Sequence, residues 1–394
     1  MRRGALACLL AAGIAGCSAL RLEPVFSDSA FIDSDPEPRR SGILEVGWTR
    51  RLVGVEEIDS LAVRFGAPTH GSSLGLVFVG SEDSGLYALR DTDGAVQWRF
   101  QALGRVDGTP AIVEDELYFG CMDGALYSVN ARTGSLRWRH GTPAEIRRPP
   151  VVVGDAVCFV NGDDTVACVS RADGHRRWRY RRTPPGGITG SGHAGLLLSG
   201  TRIYTGFSDG TVAALDARDG SLIWQQETSA DIENLDERNE AHEAIDVDTT
   251  PVLVGDTIYA ASFAAGLYAF DVTSGNRRWR RDDLLHVAGL AAVGDDVFAA
   301  SANDGIMRID GHDGTTIWRR QIEEAPVVNV SAVGPGLLGV MVARRGLWIV
   351  RAHDGQPLDA LRPGLDIAPS MTSSDGRLFA ASAGGSVYFL RVRQ

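Results

Sequence analysis

The sequence predicts an all-β fold: an eight-bladed β-propeller of four-stranded antiparallel blades, closed by the N-terminal strand completing the last blade. Trp98, Trp138 and Trp178 stand 40 residues apart, each four residues after a Gly. A short apolar strand motif recurs eight times, from Gly85-Leu86-Tyr87-Ala88-Leu89 to Gly385-Ser386-Val387-Tyr388-Phe389. The last copy has no strand after it, while an unpaired strand with Trp48 opens the folded part of the chain. A period near 40 built from short strands suits a propeller blade, because one blade cannot bury both of its faces alone.

The 394 residues are 44% hydrophobic and 23% charged, with 47 Gly, which fits one large all-β domain and argues against disorder. A net charge of -11 disfavours nucleic acid as a partner, since no excess of cation is present to displace counterions. Every basic residue is Arg and none is Lys, which points to genome composition or habitat rather than to a mechanism.

From the N-terminus, Arg2 and Arg3 precede an apolar run, Ala5 to Ala15, that is too short to span a bilayer. Ile14-Ala15-Gly16-Cys17 then forms a small-residue cleavage site that resembles a bacterial lipobox. Residues 1–16 therefore read as a lipoprotein signal peptide, with Cys17 as the lipidated first residue of the mature chain. An ordinary cleaved secretion signal, with Cys17 incidental, reads the same residues. Residues 17–40 form a polar tether whose coil span is roughly 25 to 30 Å. Residues 41–394 form the propeller.

Within it, Gly42 to Arg51 is the strand expected to close the ring, which removes a free sheet edge. The clearest blade runs Thr109 to Val113, Glu116 to Cys121, Ala125 to Asn130 and Ser135 to His140, with Asp-Gly and Thr-Gly turns between alternating apolar strands. The fourth-strand tryptophans are Trp98, Trp138, Trp178, Trp224, Trp279 and Trp318, and Trp48 serves the last blade. Asp359 replaces the tryptophan of the seventh copy. The expected role of the set is structural: a wedge between blades whose indole N–H finds a backbone acceptor. Cys158 and Cys168 flank Asn161 to Asp164 symmetrically, which fits a disulfide across a hairpin or two small buried thiols.

The spacing widens to 46 residues between Trp178 and Trp224 and to 55 between Trp224 and Trp279. Loops added to one rim are where function concentrates. The first addition begins Arg181-Arg182-Thr183-Pro184-Pro185; the second, Ser229 to Asp248, carries eight acids against Arg238.

The repeated strand, Gly turn and Trp look like the quinoprotein-type, PQQ-like propeller repeat. Trp224-Gln225-Gln226 followed by Asp246-Val247-Asp248-Thr249-Thr250-Pro251, with Leu284-Leu285-His286 beyond, resembles the BamB family of outer-membrane assembly lipoproteins. The resemblance implies a non-catalytic scaffold of the β-barrel assembly machinery, lipid-anchored on the periplasmic face of the outer membrane. It implies docking on a BamA-like barrel-inserting subunit, unfolded outer-membrane proteins as further partners, a monomer within a complex, and no cofactor. The family's contact aspartates carry over to Asp246 and Asp248. The family's second contact loop corresponds to Arg181 to Gly190, which lacks the Leu-Arg pattern, so Arg181, Arg182 and Ile188 are candidates by position.

Two other readings use the same fold. One is a generic PQQ-like-repeat binding lipoprotein of the cell envelope. The other is a quinone-dependent dehydrogenase, which needs a bound divalent cation, a catalytic Asp and often adjacent cysteines. The mature chain has no adjacent cysteines, its His residues are scattered, and no metal spacing is present. Asp-Thr-Asp-Gly at 91–94 is explained as a turn.

Overall fold

A computed structural model describes residues 42–52, 66–183, 194–228, 246–262, 264–362, 371–374, 376–382 and 385–393. The expected signal peptide, Cys17 and tether lie outside these residues, as does Ile188. Every regular element described is a strand, and the strands form eight four-stranded antiparallel sheets, as the repeat count predicts.

Blades I to VII run in chain order, starting with the inner strands Thr69–Gly71, Ala111–Val113, Val151–Val153, Leu197–Ser199, Val252–Val254, Val287–Val293 and Val327–Gly334. Blade VIII contributes Thr372–Ser374, Arg377–Ala381 and Ser386–Val392, and its outer strand is Leu44–Arg51. The last two pair antiparallel, from Leu44 opposite Val392 to Arg51 opposite Ser386. The first and last described strands thus share one sheet, and their pairing closes the ring.

Middle strands are almost wholly buried, because both of their faces meet neighbouring blades. The core therefore lies between blades rather than along one axis. Between blades III and IV, for example, Trp178, Cys158, Cys168, Ile203, Phe207 and Leu215 pack together. Cys158 and Cys168 face each other in register across the two middle strands of blade III and are joined as a disulfide, with Cα atoms 4.0 Å apart.

The tryptophans make one contact seven times. Each indole N–H donates to a backbone carbonyl in the next blade's third-to-fourth turn at 2.8–3.2 Å: Asp91, Ala131, Arg171, Ala217, Val272, Gly311 and Ala352 in ring order. The same turn places a Gly against the ring face. Gly220 has φ +75°, and a Cβ there would run into the Trp178 indole. Glycine thus supplies both the left-handed turn and the flat surface on which the indole lies.

The eighth interface differs for a topological reason. The last two strands of blade VIII, Ser386–Val392 and Leu44–Arg51, are not consecutive in the chain, so among the described residues no tight turn joins them to receive an indole. Asp359 occupies the tryptophan position and is 4% exposed. Its Oδ2 accepts the Leu44 backbone N–H at 2.9 Å, fastening the closing strand.

Candidate functional site

Antiparallel alternation puts the connections from each outer strand to the next inner strand at one end of the ring, together with the turns joining second and third strands. Both widened spacings fall at this end, called here the loop face. Three of its connections share one construction. Val106, Ile146 and Val247 are buried, and their N–H groups donate to Ser81, Cys121 and Phe207 carbonyls, each at 3.1 Å. The second-strand glycines beneath them, Gly80, Gly120 and Gly206, have no room for a Cβ. Each connection is therefore pinned at its middle residue, and the flanking side chains occupy equivalent places.

Those flanking residues set the third connection apart. Arg105 and Asp107 form an ion pair at 3.2 Å, and Glu145 and Arg147 form one at 3.3 Å. At the equivalent positions beside Val247 stand two acids, Asp246 and Asp248. Asp246 is 2% exposed and Asp248 half-buried. Asp248 Oδ1 is buried and accepts no hydrogen bond among the described residues.

A cation reaches this acidic pair from two blades away. Arg148, in the connection before blade III, donates from Nη2 to the Asp248 carbonyl at 2.7 Å. Burial pushes the guanidinium's pKa down, and the Asp248 charge opposes that shift. Burial, and then the charge of Asp246, raise the Asp248 carboxyl from 3.8 to about 6, with Arg148 pulling the other way. The backbone that carries the acids is fixed on both sides. Thr249 Oγ1 donates to the Ala261 carbonyl and accepts its N–H, both at 3.1 Å, and Thr250 Oγ1 accepts the Gly195 N–H at 3.1 Å. Asp246 to Thr250 thus form a pre-organised acidic ledge between blades IV and V.

The basic residues proposed from the neighbouring loop are already engaged. Arg181 pairs with Asp163 at 3.5 Å and stays mostly exposed. Arg182 donates from Nε to Asp209 at 2.6 Å and from Nη1 to Gln225 at 2.9 Å. Its guanidinium also lies 5.9 Å from the centre of the Phe207 ring, whose backbone carbonyl holds Val247. Phe207 is thus approached by Arg182 at its ring and by Val247 of the acidic ledge at its carbonyl, while Arg181 pairs with Asp163 within blade III.

Arg148 was missed by sequence reasoning. Its signal is Arg147-Arg148-Pro149-Pro150, which becomes legible once the three connections are aligned on Val106, Ile146 and Val247. Most turn acids, by contrast, serve local structure. Asp123 accepts from Tyr127 at 2.6 Å and from Arg139 at 2.9 Å, and Asp93 accepts the Ala95 N–H at 3.0 Å. Among the described residues, no group of three or more His, Cys, Asp or Glu is arranged to hold a metal ion.

The family model described as outer membrane protein assembly factor BamB matches residues 45–123 and 83–320. The BamB of Kangiella koreensis is 38% identical over 80 residues, which is 20% of each chain. That of Pseudomonas aeruginosa is 32% identical over 95 residues, 24% of each. The aligned stretches thus span about a fifth to a quarter of these curated relatives. The crystal structure of BamB from Moraxella catarrhalis shares the fold, with a TM-score of 0.74 at 22% identity over 89% of this chain and 100% of that one. A quinohemoprotein alcohol dehydrogenase from Pseudomonas putida HK5 is also similar in fold, with a TM-score of 0.63 at 14% identity over 89% of this chain and 76% of that one. The family match runs through seven-tenths of the sequence and includes the acidic ledge, and the chain belongs to the BamB family of outer-membrane protein assembly factors.

Proposed function

We propose that this protein is a non-catalytic scaffold of outer-membrane β-barrel assembly, held to the periplasmic face of the outer membrane by a lipid on Cys17. Its loop face docks on the periplasmic part of the barrel-inserting subunit. The observation that carries the reading is the acidic ledge: each of the two equivalent connections carries one acid and one Arg, whereas Asp246-Val247-Asp248 carries two acids. A half-buried Asp248 beside a buried Asp246, on a fixed backbone, suits recognition of a cationic group on a partner, and complementary charge sets orientation and encounter rate. Family membership supports the same reading.

The test is co-purification from detergent-solubilised membranes. The wild-type chain is expected to recover a barrel-inserting subunit, and Asp246→Asn/Asp248→Asn to recover much less. Equal recovery by both would remove the ledge from the docking surface, and no recovery by either would favour a generic envelope-binding role. Quinone-dependent dye reduction by the purified protein would overturn the scaffold reading altogether.

A further inference from the structure

The eight outer strands offer an internal comparison, because each ends its sheet with unpaired backbone groups. Each also carries a bulge just before the tryptophan position, so the bulge does not distinguish them. Their side chains do. Six carry between one and four arginines, and a seventh carries Pro357 and the buried Asp359. Charge and proline are the usual devices that keep an exposed edge from pairing with another chain.

The exception is the outer strand of blade IV, Leu222–Glu227, which reads Leu-Ile-Trp-Gln-Gln-Glu. It has no arginine, proline or glycine. Leu222 and Ile223 are 43% and 38% exposed, the one adjacent pair among the exposed large hydrophobic residues described. High β-propensity, low charge and glutamines are the composition of a segment that readily accepts a further strand. Thr228 donates inward to the Gly210 carbonyl, so alternation turns the N–H and C=O groups of Gln225 and Glu227 outward.

We propose that Leu222–Glu227 is a strand-addition site for an extended, largely uncharged segment of another polypeptide. Backbone pairing supplies the affinity, Ile223 offers an apolar contact, and exposed Glu227 favours a cation at the end of the segment that lies beside it. A second copy of this chain is the poorer occupant, since each copy brings a net charge of -11. The assembly reading bears only on the source of the segment, an unfolded strand of a barrel protein; the edge strand without arginine or proline of its own stands on this chain alone.

The probe is a fluorescent ten-residue peptide of alternating Val and Thr ending in Arg, titrated into the purified full chain and followed by anisotropy. Ile223→Arg/Gln225→Arg gives the strand the Leu-Arg-Trp-Arg order that blade II already folds with at Leu136 to Arg139. Binding should be saturable, at least tenfold weaker in that variant, lost when alternate peptide amides are N-methylated, and unchanged in Asp248→Asn. Equal binding by wild type and the double-arginine variant, or indifference to N-methylation, would overturn the proposal. So would a wild-type dimer in sedimentation that the variant abolishes, because the occupant would then be a second copy. Intact peptide binding with failed co-purification would sink the assembly reading while leaving the edge site standing.

Discussion

Replacing Trp178 with alanine lowers the unfolding free energy by about 3–5 kcal/mol, the cost of truncating a large buried aromatic that cannot be refilled. Trp178 is 8% exposed, packs among Ile203, Phe207 and Leu215, and donates to Ala217 at 3.0 Å. Trp178→Phe should recover much of the packing but leave the Ala217 carbonyl without its donor, a loss of about 1–3 kcal/mol. Denaturant unfolding followed by far-UV circular dichroism measures both. A change below about 1 kcal/mol for the alanine variant would mean that the wedges do not hold the blades together.

Replacing Asp248 with asparagine should have the opposite sign. In the unfolded chain its carboxyl ionises near 3.8, whereas in the folded chain it keeps its proton up to about pH 6. Below 3.8 both states are protonated and the residue carries no penalty. Between 3.8 and 6 the unfolded state releases the proton first and gains, and above 6 the folded state bears a cost of about 3 kcal/mol. Asp248→Asn removes that cost, so it should stabilise the propeller by about 1–3 kcal/mol at pH 7.5 and change little at pH 3.5. Unfolding at the two pH values checks it. Equal effects at both would show that the carboxyl is not held against its ionisation. An acid retained at a cost to stability is the pattern expected where a charge serves binding rather than folding.

Much of the fold was legible because a propeller repeats its local rules. The spacing of Trp98, Trp138 and Trp178 and the eight strand copies specify blade number, and the unpaired Trp48 strand specifies how the ring closes. Boundaries were less sharp. The inner strand expected from Thr109 begins at Ala111, since Pro110 has no N–H for a ladder, and the outer strand expected over Ser135 to His140 runs Leu136–Gly141. The meaning of Asp359 also lay beyond the local pattern, because its partner, the Leu44 N–H, is brought to it only by ring closure.

The candidate site was legible through the family resemblance and hidden in its contacts. Composition showed only that acids gather at the break in the repeat; the resemblance picked out Asp246 and Asp248 among them, and nothing local revealed that Asp246 is buried or that Arg148, 100 residues earlier, bonds to the ledge. Nor could the run Arg181-Arg182 announce its partners, since Asp163 and Asp209 lie in turns that only blade geometry brings alongside. Loop charge is read from sequence, whereas charge already spent on an intramolecular partner is read from the fold.

The central claim, that the loop face docks through its acidic ledge, is tested most directly by titrating the purified full chain with the periplasmic part of a barrel-inserting subunit. Two variants that each remove one negative charge are compared: Asp248→Asn on the loop face and Asp155→Asn in a turn at the opposite end. Asp248→Asn should weaken binding at least about tenfold even though it stabilises the fold, and Asp155→Asn should leave the affinity within about twofold of wild type. Equal affinities for Asp248→Asn and wild type, or equal losses from the two variants, would contradict docking at the ledge.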